Sequence, residues 1–382
     1  MITREITEKL GKHQTPFYYY DLDILRETLS VVSREAAGRG FHVHYAVKAN
    51  FNPVIMKIIA KQGFGADCVS GNEVEHAIAC GFPVSETVFA GVGKSDTEIE
   101  KALRLGIKCF NAESAEELNV IDSIAGRMGK KAPVALRINP NVQAHTIKPI
   151  TTGTDENKFG IRLPDLDNVL DRLKELQNLR YRGIHFHIGS QITDLNVYRN
   201  LCTRINELWQ WLTGRGFGPE DINVGGGLGV SYNDPDRIPP FADYFNIFST
   251  SLDSRIRSTI SFELGRSLTA NCGSLVSRVL FVKPGALETF VILDAGMTEL
   301  IRPALYHARH SIKNLTSTGP VKKYTVVGPV CETTDTFGRN IQLPETRRGD
   351  LIVIRSAGAY GEVMASRYNM RSLPAALFSD SL

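Results

Sequence analysis

Apolar and polar residues alternate along this chain in two rhythms. Short apolar or alternating runs predict eight strands, at residues 42–50, 64–70, 87–92, 107–113, 134–140, 181–190, 221–227 and 259–266. Before and between them, apolar residues recur every three or four positions, which predicts helices at 21–37, 53–62, 73–80, 95–105, 114–128, 163–177, 195–212 and 241–257. Eight strands alternating with helices over about 250 residues is the order and size of a TIM (β/α)8 barrel.

The pattern changes after residue 266. Further strands are predicted at 275–282, 289–293, 324–327 and 351–355, and Pro, Gly, Asp and Asn separate them instead of helices. This texture is typical of an antiparallel β domain. We therefore predict an α/β chain with a barrel over 21–270 and a C-terminal β domain over 271–382, on which residues 1–20 pack.

Composition narrows the class of function. The 382 residues are 42 % hydrophobic and 22 % charged, which is ordinary for a globular protein, and a net charge of +3 is too small to indicate nucleic acid or an anionic membrane surface as the partner. The six cysteines are scattered without a CxxC pair, which fits a reducing compartment. The charged N-terminus and the lack of a long apolar run lead us to expect no membrane association and a cytoplasmic location.

The first predicted strand ends in a lysine. In a βα-barrel the carboxyl ends of the strands form the catalytic rim, so Lys48 is expected there. A lysine held among apolar neighbours can serve as a nucleophilic amine and form a Schiff base. A solvated surface lysine is the ordinary alternative. The residues at the other strand ends are therefore needed to distinguish the two interpretations of Lys48.

Three other strand ends carry suitable groups. Residues 185–190 place His187 and Ser190 at the rim, residues 225–227 are three glycines that let the backbone approach a phosphate, and Glu263 closes the eighth strand. A tight turn would explain the glycines alone, and an ion pair with Arg266 would explain Glu263 alone. Together with Lys48, they match the needs of pyridoxal phosphate: an amine, a phosphate site, a flat stacking group and an anion for the ring nitrogen.

Several longer motifs occur in a single order along nearly the whole chain. They are YAVKAN at 45–50, HFHIGSQ at 185–191, GGGLG at 225–229, ELGRS at 263–267, CETTD at 331–335, GAYG at 358–361 and YN at 368–369. In these motifs the chain resembles the fold-type III pyridoxal phosphate-dependent decarboxylases, in particular the family that converts meso-2,6-diaminopimelate to L-lysine and CO2. Departures are small: Leu264 stands where the family usually has proline, and Thr333 and Thr334 stand where serines are common.

The resemblance implies an alanine racemase-like barrel with pyridoxal 5′-phosphate as cofactor and no metal. Lys48 is expected to bond covalently to the cofactor, His187 to stack on its ring and Glu263 to pair with its ring nitrogen. The full set of cofactor-binding residues implied in this way is Lys48, Asp67, His187, Ser190, Gly225, Gly226, Gly227, Glu263, Gly265, Arg266 and Tyr360.

The resemblance also implies how an amino-acid substrate is bound. The substrate-binding residues are expected to be Arg266, Arg302, Tyr306, Glu332 and Tyr360, and Cys331 is expected to be catalytic as the proton donor. In the family, Cys331 and Glu332 match residues that the partner subunit donates, so we expect a homodimer with shared active sites.

Two alternatives stay open. Another basic amino-acid decarboxylase of this fold would act on ornithine, arginine or carboxynorspermidine. Ornithine has no distal carboxylate and would leave Arg302 unpaired. A non-catalytic pyridoxal phosphate-binding homologue would have no need for Cys331 and Glu332. The unusual segment 145–150 leaves the loop before Lys158 without a predicted conformation.

Overall fold

The protein is described from a computed structural model, which covers residues 2–142, 158–256 and 258–382. The segment 145–150 and the last residue of the predicted helix 241–257 lie outside the described residues. The chain divides into two compact units. The barrel unit comprises Leu29–Gly229 and Pro240–Gly265, and the β unit comprises Met1–Thr28, Val230–Pro239 and Arg266–Leu382. The predicted division at residue 270 stays a prediction.

The strands of the described ranges are, in chain order, β1 (Phe17–Tyr20), β2 (His42–Ala46), β3 (Gly65–Cys68), β4 (Thr87–Phe89), β5 (Cys109–Ala112), β6 (Ala132–Asn139), β7 (Ile161–Arg162), β8 (Leu179–His185), β9 (Asp221–Gly226), β10 (Thr259–Leu264), β11 (Gly273–Pro284), β12 (Thr289–Leu293), β13 (Ile312–Asn314), β14 (Val321–Val327), β15 (Thr336–Pro344), β16 (Leu351–Ile354) and β17 (Ala375–Phe378).

The helices of the same ranges are α1 (Arg4–Leu10), α2 (Leu22–Ala37), α3 (Pro53–Ala60), α4 (Gly71–Ala79), α5 (Asp96–Leu105), α6 (Ala115–Arg127), α7 (Leu166–Glu175), α8 (Asn196–Gly214), α9 (Phe241–Ser251), α10 (Arg266–Thr269) and α11 (Arg302–Tyr306). Where the structure describes the chain, no helix has the length and apolar character that crossing a membrane requires.

Eight parallel strands close into a barrel in the order β2, β3, β4, β5, β6, β8, β9, β10, with β10 pairing again with β2. This confirms the predicted fold and all eight predicted barrel strands. The predicted helices are also present, and local chemistry sets their starts: the side chains of Ser70 and Ser114 accept hydrogen bonds from backbone N–H groups three residues later, which caps α4 and α6. The two-residue strand β7, which pairs with the end of β6, was not predicted.

The lysine strand is shorter than predicted. β2 ends at Ala46, and Val47–Ala49 form a 3₁₀ turn closed by a hydrogen bond from the Asn50 N–H to the Val47 carbonyl, at 3.1 Å. Lys48 therefore lies one turn beyond the strand and not on it. The turn packs closely on Gly265, where an added Cβ would lie 2.9 Å from the Ala49 side chain.

The β unit is built on a mixed sheet in the order β13, β16, β11, β12, β14, β15. Four of these strands, β11, β12, β14 and β16, confirm predicted ones, while β1, β13, β15 and β17 were not predicted. Most pairs are antiparallel as expected, but β12 pairs with β14 and β1 with β17 in parallel. The N-terminal strand β1 pairs with β11 and contributes Phe17 and Tyr19 to a core that includes Val276 and Val353.

The close pairing of β9 and β10 predicts one severe substitution. Gly226 lies beside Glu263 in the register, and a methyl group on Gly226 would overlap the Glu263 carbonyl oxygen. We expect Gly226→Ala to lower the free energy of unfolding by about 2 kcal/mol or more, because the backbones would have to separate.

Chemical denaturation followed by circular dichroism measures this effect. Gly93→Ala is the matched control, since an added Cβ there meets nothing within 4 Å. Equal stabilities of Gly226→Ala and the control would show that β9 and β10 do not pack as described.

Candidate active site

An amine and a buried carboxyl group meet at the carboxyl ends of two neighbouring barrel strands. β2 and β3 are paired, with Ala46 opposite Asp67, and Lys48 Nζ lies 2.9 Å from Asp67 Oδ2. The Lys48 side chain is 34 % exposed while Asp67 is fully buried. Burial, with repulsion from Glu263, raises the pKa of Asp67 despite the nearby lysine. The structure thus presents the Lys48 amine at the barrel rim, on a carboxyl group whose Oδ1 has no hydrogen-bond partner among the described residues.

A second carboxyl group, Glu263 on β10, is buried inside the barrel mouth. Asn223 Nδ2 donates to its Oε1 at 2.8 Å, and His185 Nε2 lies 3.2 Å from its Oε2. Burial alone would raise the pKa of Glu263, but His185, by charge and hydrogen bond, and then Lys48 hold it well below its ordinary value. Glu263 is therefore an anion in a water-poor site.

The side chains that support Glu263 were not predicted. Asn111, His185 and Asn223 lie on β5, β8 and β9, and Asn111 Nδ2 makes a longer contact of 3.5 Å with Glu263 Oε1. A signal for two of them was present in the sequence. Asn223 shortly precedes the glycine run, and His185 is two residues before His187, the spacing that places side chains on one face of a strand.

The loop after β8 carries the predicted stacking group. His187 is half-buried there, and burial, aided by the charge of Arg137, lowers its pKa to about 3. Its imidazole is therefore neutral at physiological pH and suited to lie against an electron-poor ring. Ser190 follows in the same loop, which a backbone bridge from Ile192 to Leu228 joins to the loop after β9.

The three glycines have a structural reason as well as a predicted functional one. Gly225 and Gly227 have φ values of +72° and +92°, a region that other residues rarely adopt. A Cβ at these positions would overlap the carbonyl oxygens of Phe186 and Gly189, respectively. Close packing of the β8 and β9 loops thus requires glycine there, whatever the backbone N–H groups bind.

Two buried arginines lie together in the β unit. Arg266 Nη1 donates to the Tyr232 hydroxyl at 2.8 Å, and the Arg302 guanidinium carbon lies 5.0 Å from the centre of the Tyr232 ring. Arg266 also lies over the ring of Tyr360, at 4.7 Å. Tyr232 was not predicted as a site residue. It belongs to the short segment Val230–Pro239 that follows the glycine motif and forms part of the β unit.

Arg302 is unusual because it is only 4 % exposed. Within the ranges that the structure describes, no carboxylate forms an ion pair with it, and its buried Nε has no hydrogen-bond partner. Burial lowers the pKa of Arg302, the direction expected for a cation removed from water. Arg302 is therefore a buried cation without a compensating carboxylate in the described ranges.

The remaining predicted substrate residues lie at the surface of the β unit. Tyr306 is the half-buried last residue of α11, and Cys331 and Glu332 are both exposed. The exposure of Cys331 is unusual, because free cysteines are usually buried, as the other five are here. The Thr334 hydroxyl donates to Glu332 at 3.3 Å, so this loop orients its own carboxylate.

A buried aspartate fixes the loop that carries Cys331. The two carboxylate oxygens of Asp335 accept hydrogen bonds from the N–H groups of Met297 and Val330, at 2.6 and 2.7 Å. Asp335 therefore joins the loop bearing the thiol to the segment after β12 at Met297 and closes the loop on itself at Val330.

The residues of the barrel unit fit pyridoxal phosphate. An accessible amine, a buried anion, a neutral imidazole and a glycine-rich backbone turn are the groups that this cofactor requires. The structure places Lys48 with Asp67, and Glu263 with its polar supports, at the same set of strand ends. Their individual roles toward the cofactor stay predictions.

Comparison with known proteins agrees with this reading. Residues 25–270 match the family described as pyridoxal-dependent decarboxylase, pyridoxal binding domain. A diaminopimelate decarboxylase of Bacteroides thetaiotaomicron is 53 % identical over 378 residues, which cover 98 % of each chain. The chain belongs to the diaminopimelate decarboxylase family. A further member of this family, from Zymomonas mobilis, is 42 % identical, covering 97 % of this chain and 89 % of the relative.

A solved structure shares the fold over nearly the whole chain. The diaminopimelate decarboxylase of Helicobacter pylori complexed with L-lysine aligns with a TM-score of 0.92 at 40 % identity, covering 97 % of this chain and 93 % of that one. Pyridoxal phosphate is accordingly the cofactor of this chain.

The position of Lys48 predicts its covalent role. Purified parent protein is expected to be yellow from bound cofactor, and Lys48→Ala should lose the absorption band of the covalently bound form because the amine that forms the bond is gone. Lys61→Ala, which removes an exposed lysine, is the control. A visible spectrum of Lys48→Ala identical to that of the parent would refute the assignment.

The charge of Glu263 predicts a second effect. Glu263→Gln keeps the shape of the side chain but removes the anion. If Glu263 pairs with the ring nitrogen as predicted, activity should fall about 100-fold or more, since a buried charge there would act directly on the transition state. Turnover and cofactor content are measured together, with the exposed Glu116→Gln as control. Parent-like turnover in Glu263→Gln would exclude this role.

Proposed function

We propose that this chain removes CO2 from the D centre of meso-2,6-diaminopimelate and forms L-lysine, the last step of lysine biosynthesis. Membership of the diaminopimelate decarboxylase family supports this substrate and product. Of the structural observations, the buried guanidinium of Arg302 gives the proposal its strongest support.

The reason lies in the number of substrate carboxylates. meso-Diaminopimelate keeps a second carboxylate at its L centre after one leaves as CO2, whereas ornithine or lysine would keep none. Burying an arginine with no anionic partner is costly, by several kcal/mol for a fully desolvated ion. A substrate that brings a carboxylate to Arg302 offsets that cost, and a substrate without one does not.

Pyridoxal phosphate supplies the electron sink that accepts the electron pair left on the carbon losing CO2. Lys48 would hold it covalently, Glu263 would hold a proton on its ring nitrogen, and His187 would lie against its ring. The other residues proposed to hold it are Asp67, Ser190, Gly225, Gly226, Gly227, Gly265, Arg266 and Tyr360.

The chain's own groups would then orient the substrate and move a proton. In this proposal Arg266, Arg302, Tyr306 and Tyr360 bind the distal carboxylate, and Glu332 binds the distal ammonium. Holding the distal carboxylate and ammonium of the substrate selects the carboxylate at the D centre as the one that leaves. The Cys331 thiol delivers a proton to the carbon that has lost CO2.

We further propose a homodimer in which Cys331 and Glu332 act in the active site of the partner subunit. Both side chains are exposed in the β unit. Large apolar side chains of the same unit are exposed too, including Tyr368 and the 97 % exposed Met370, as a surface that a second copy covers would show. A cytoplasmic location fits six cysteines that are all free.

The direct test is product analysis with purified protein and added cofactor. Incubation with meso-diaminopimelate should release CO2 and L-lysine in equal amounts, while ornithine and arginine should not react. Faster release of CO2 from ornithine or arginine would favour another basic amino-acid decarboxylase. Bound cofactor without CO2 from any substrate would indicate a non-catalytic homologue.

The shared-site proposal predicts complementation between two inactive variants. Lys48→Ala and Cys331→Ala should each be nearly inactive alone. After subunit exchange about half the dimers are heterodimers with one intact site of two, so activity should recover to roughly a quarter of the parent's.

Differently tagged subunits establish that exchange has occurred, and Lys48→Ala mixed with itself is the control. Heterodimers without activity would mean that Cys331 serves the lysine of its own subunit or has no part in the reaction.

A further inference from the structure

A buried histidine lies between two arginines of the β unit. His310 is 6 % exposed. Its Nδ1 is 2.9 Å from the backbone carbonyl oxygen of Arg355, and its Nε2 is 3.1 Å from Nη1 of Arg302. It belongs to none of the sequence motifs, and neither the barrel rim nor the Cys331 loop explains it.

These two contacts determine where the proton of His310 lies. A carbonyl oxygen can only accept a hydrogen bond, so Nδ1 must carry the hydrogen and donate it to Arg355. Burial, with the adjacent charge of Arg302, lowers the pKa of His310 to about 3, so the ring is neutral at physiological pH. Nε2 then has a lone pair and accepts from the Arg302 guanidinium.

The ring is held in place from both sides. The Arg355 guanidinium forms a two-point ion pair with Asp236, at 2.7 and 2.9 Å, which anchors the residue whose carbonyl fixes Nδ1. The Tyr232 ring meets the His310 ring edge-on at 4.9 Å and also lies under Arg302. His310 has little freedom to turn its acceptor away from Arg302.

A neutral acceptor has a consequence that a carboxylate would not have. An aspartate or glutamate in place of His310 would neutralise Arg302 and compete with any incoming anion. An imidazole fixes the direction of the guanidinium but leaves its full positive charge, and the buried Nε remains without a partner in the described ranges. The group is oriented without being neutralised.

We propose that His310 is a positioning residue that orients Arg302 toward the distal carboxylate of the substrate, and so contributes to specificity for amino acids that retain a carboxylate. This inference deepens the proposed function and rests on it. A bland alternative is that His310 only fills and stabilises the core of the β unit.

Measurements of L-lysine binding distinguish the positioning role of His310 from a purely structural one. L-Lysine retains the distal carboxylate, whereas 1,5-diaminopentane is the same molecule without it. Their affinities are measured by calorimetry on the cofactor-loaded protein, together with KM and kcat for meso-diaminopimelate. A positioning role for the carboxylate changes the first affinity and not the second.

Two substitutions distinguish the roles of the two ring nitrogens of His310. His310→Gln can place an oxygen near the Nε2 position and still accept from Arg302, while His310→Asn can keep an N–H near Nδ1 but reaches less far. We expect His310→Asn to weaken L-lysine binding about 10-fold and to raise KM similarly, with kcat within about 2-fold, because a hydrogen bond to a charged group is lost in ground state and transition state alike. His310→Gln should stay within about 3-fold of the parent, and 1,5-diaminopentane should bind all three alike.

Arg302→Met completes a double-mutant cycle with His310→Asn. It should weaken L-lysine binding strongly, and adding His310→Asn to it should cause no further loss, because the two residues act as one unit. Equal losses in His310→Asn and His310→Gln, or additive losses in the double variant, would overturn the proposal in favour of a structural role. L-Lysine binding unaffected by Arg302→Met would overturn it as well.

Should His310→Asn fail to fold, the parent protein gives a second test, in which His310→Gln is needed only to assign the signal. Nitrogen-15 NMR of its histidines should show His310, assigned by the signal missing in His310→Gln, as the neutral form protonated at Nδ1. Its Nε2 signal should shift on addition of L-lysine but not of 1,5-diaminopentane. The opposite tautomer, or no shift, would refute the inference. A parent that neither decarboxylates meso-diaminopimelate nor binds L-lysine would refute the proposed function itself, and this inference with it.

Discussion

The binding chemistry proposed for this chain rests on two buried charges of opposite sign. Glu263 in the barrel unit and Arg302 in the β unit are both almost inaccessible, and removing a charge from water costs several kcal/mol unless partners compensate. Each is contacted by a histidine, His185 or His310, and by polar or aromatic groups instead of a full complement of opposite charges. In the proposed function, a protonated ring nitrogen of the cofactor compensates the charge of Glu263, and a substrate carboxylate compensates that of Arg302.

The barrel gives two similar carboxyl groups different properties. Asp67 and Glu263 are both fully buried near the ends of strands that flank β2, and burial raises the pKa of either. Glu263 nevertheless stays well below its ordinary pKa because His185 and Lys48 favour its anion, whereas Asp67 is raised. Separation of two pKa values in this way is how one site assigns different tasks to identical groups. Glu263 suits a permanent anion, and Asp67 suits a hydrogen-bonding partner for Lys48.

Periodicity predicted the barrel because each strand and helix carries its own signal, but it could not predict features created by packing. The turn that carries Lys48 exists because Gly265 lets β10 approach it, which no local pattern reveals. Strand β1 is four consecutive buried residues without alternation, so periodicity could not distinguish it from a short buried helical segment or reveal its pairing with β11. The site residues were predicted from motif resemblance, and Tyr232 and His310 were missed because they lie outside those motifs.

A crystal structure of the protein with pyridoxal phosphate and L-lysine bound would examine both buried charges at once. We expect a Glu263 oxygen within hydrogen-bonding distance of the ring nitrogen, and the lysine carboxylate on the guanidinium of Arg302, with His310 still accepting from that arginine. A lysine carboxylate bound elsewhere, with Arg302 facing only the chain's own groups, would contradict this expectation.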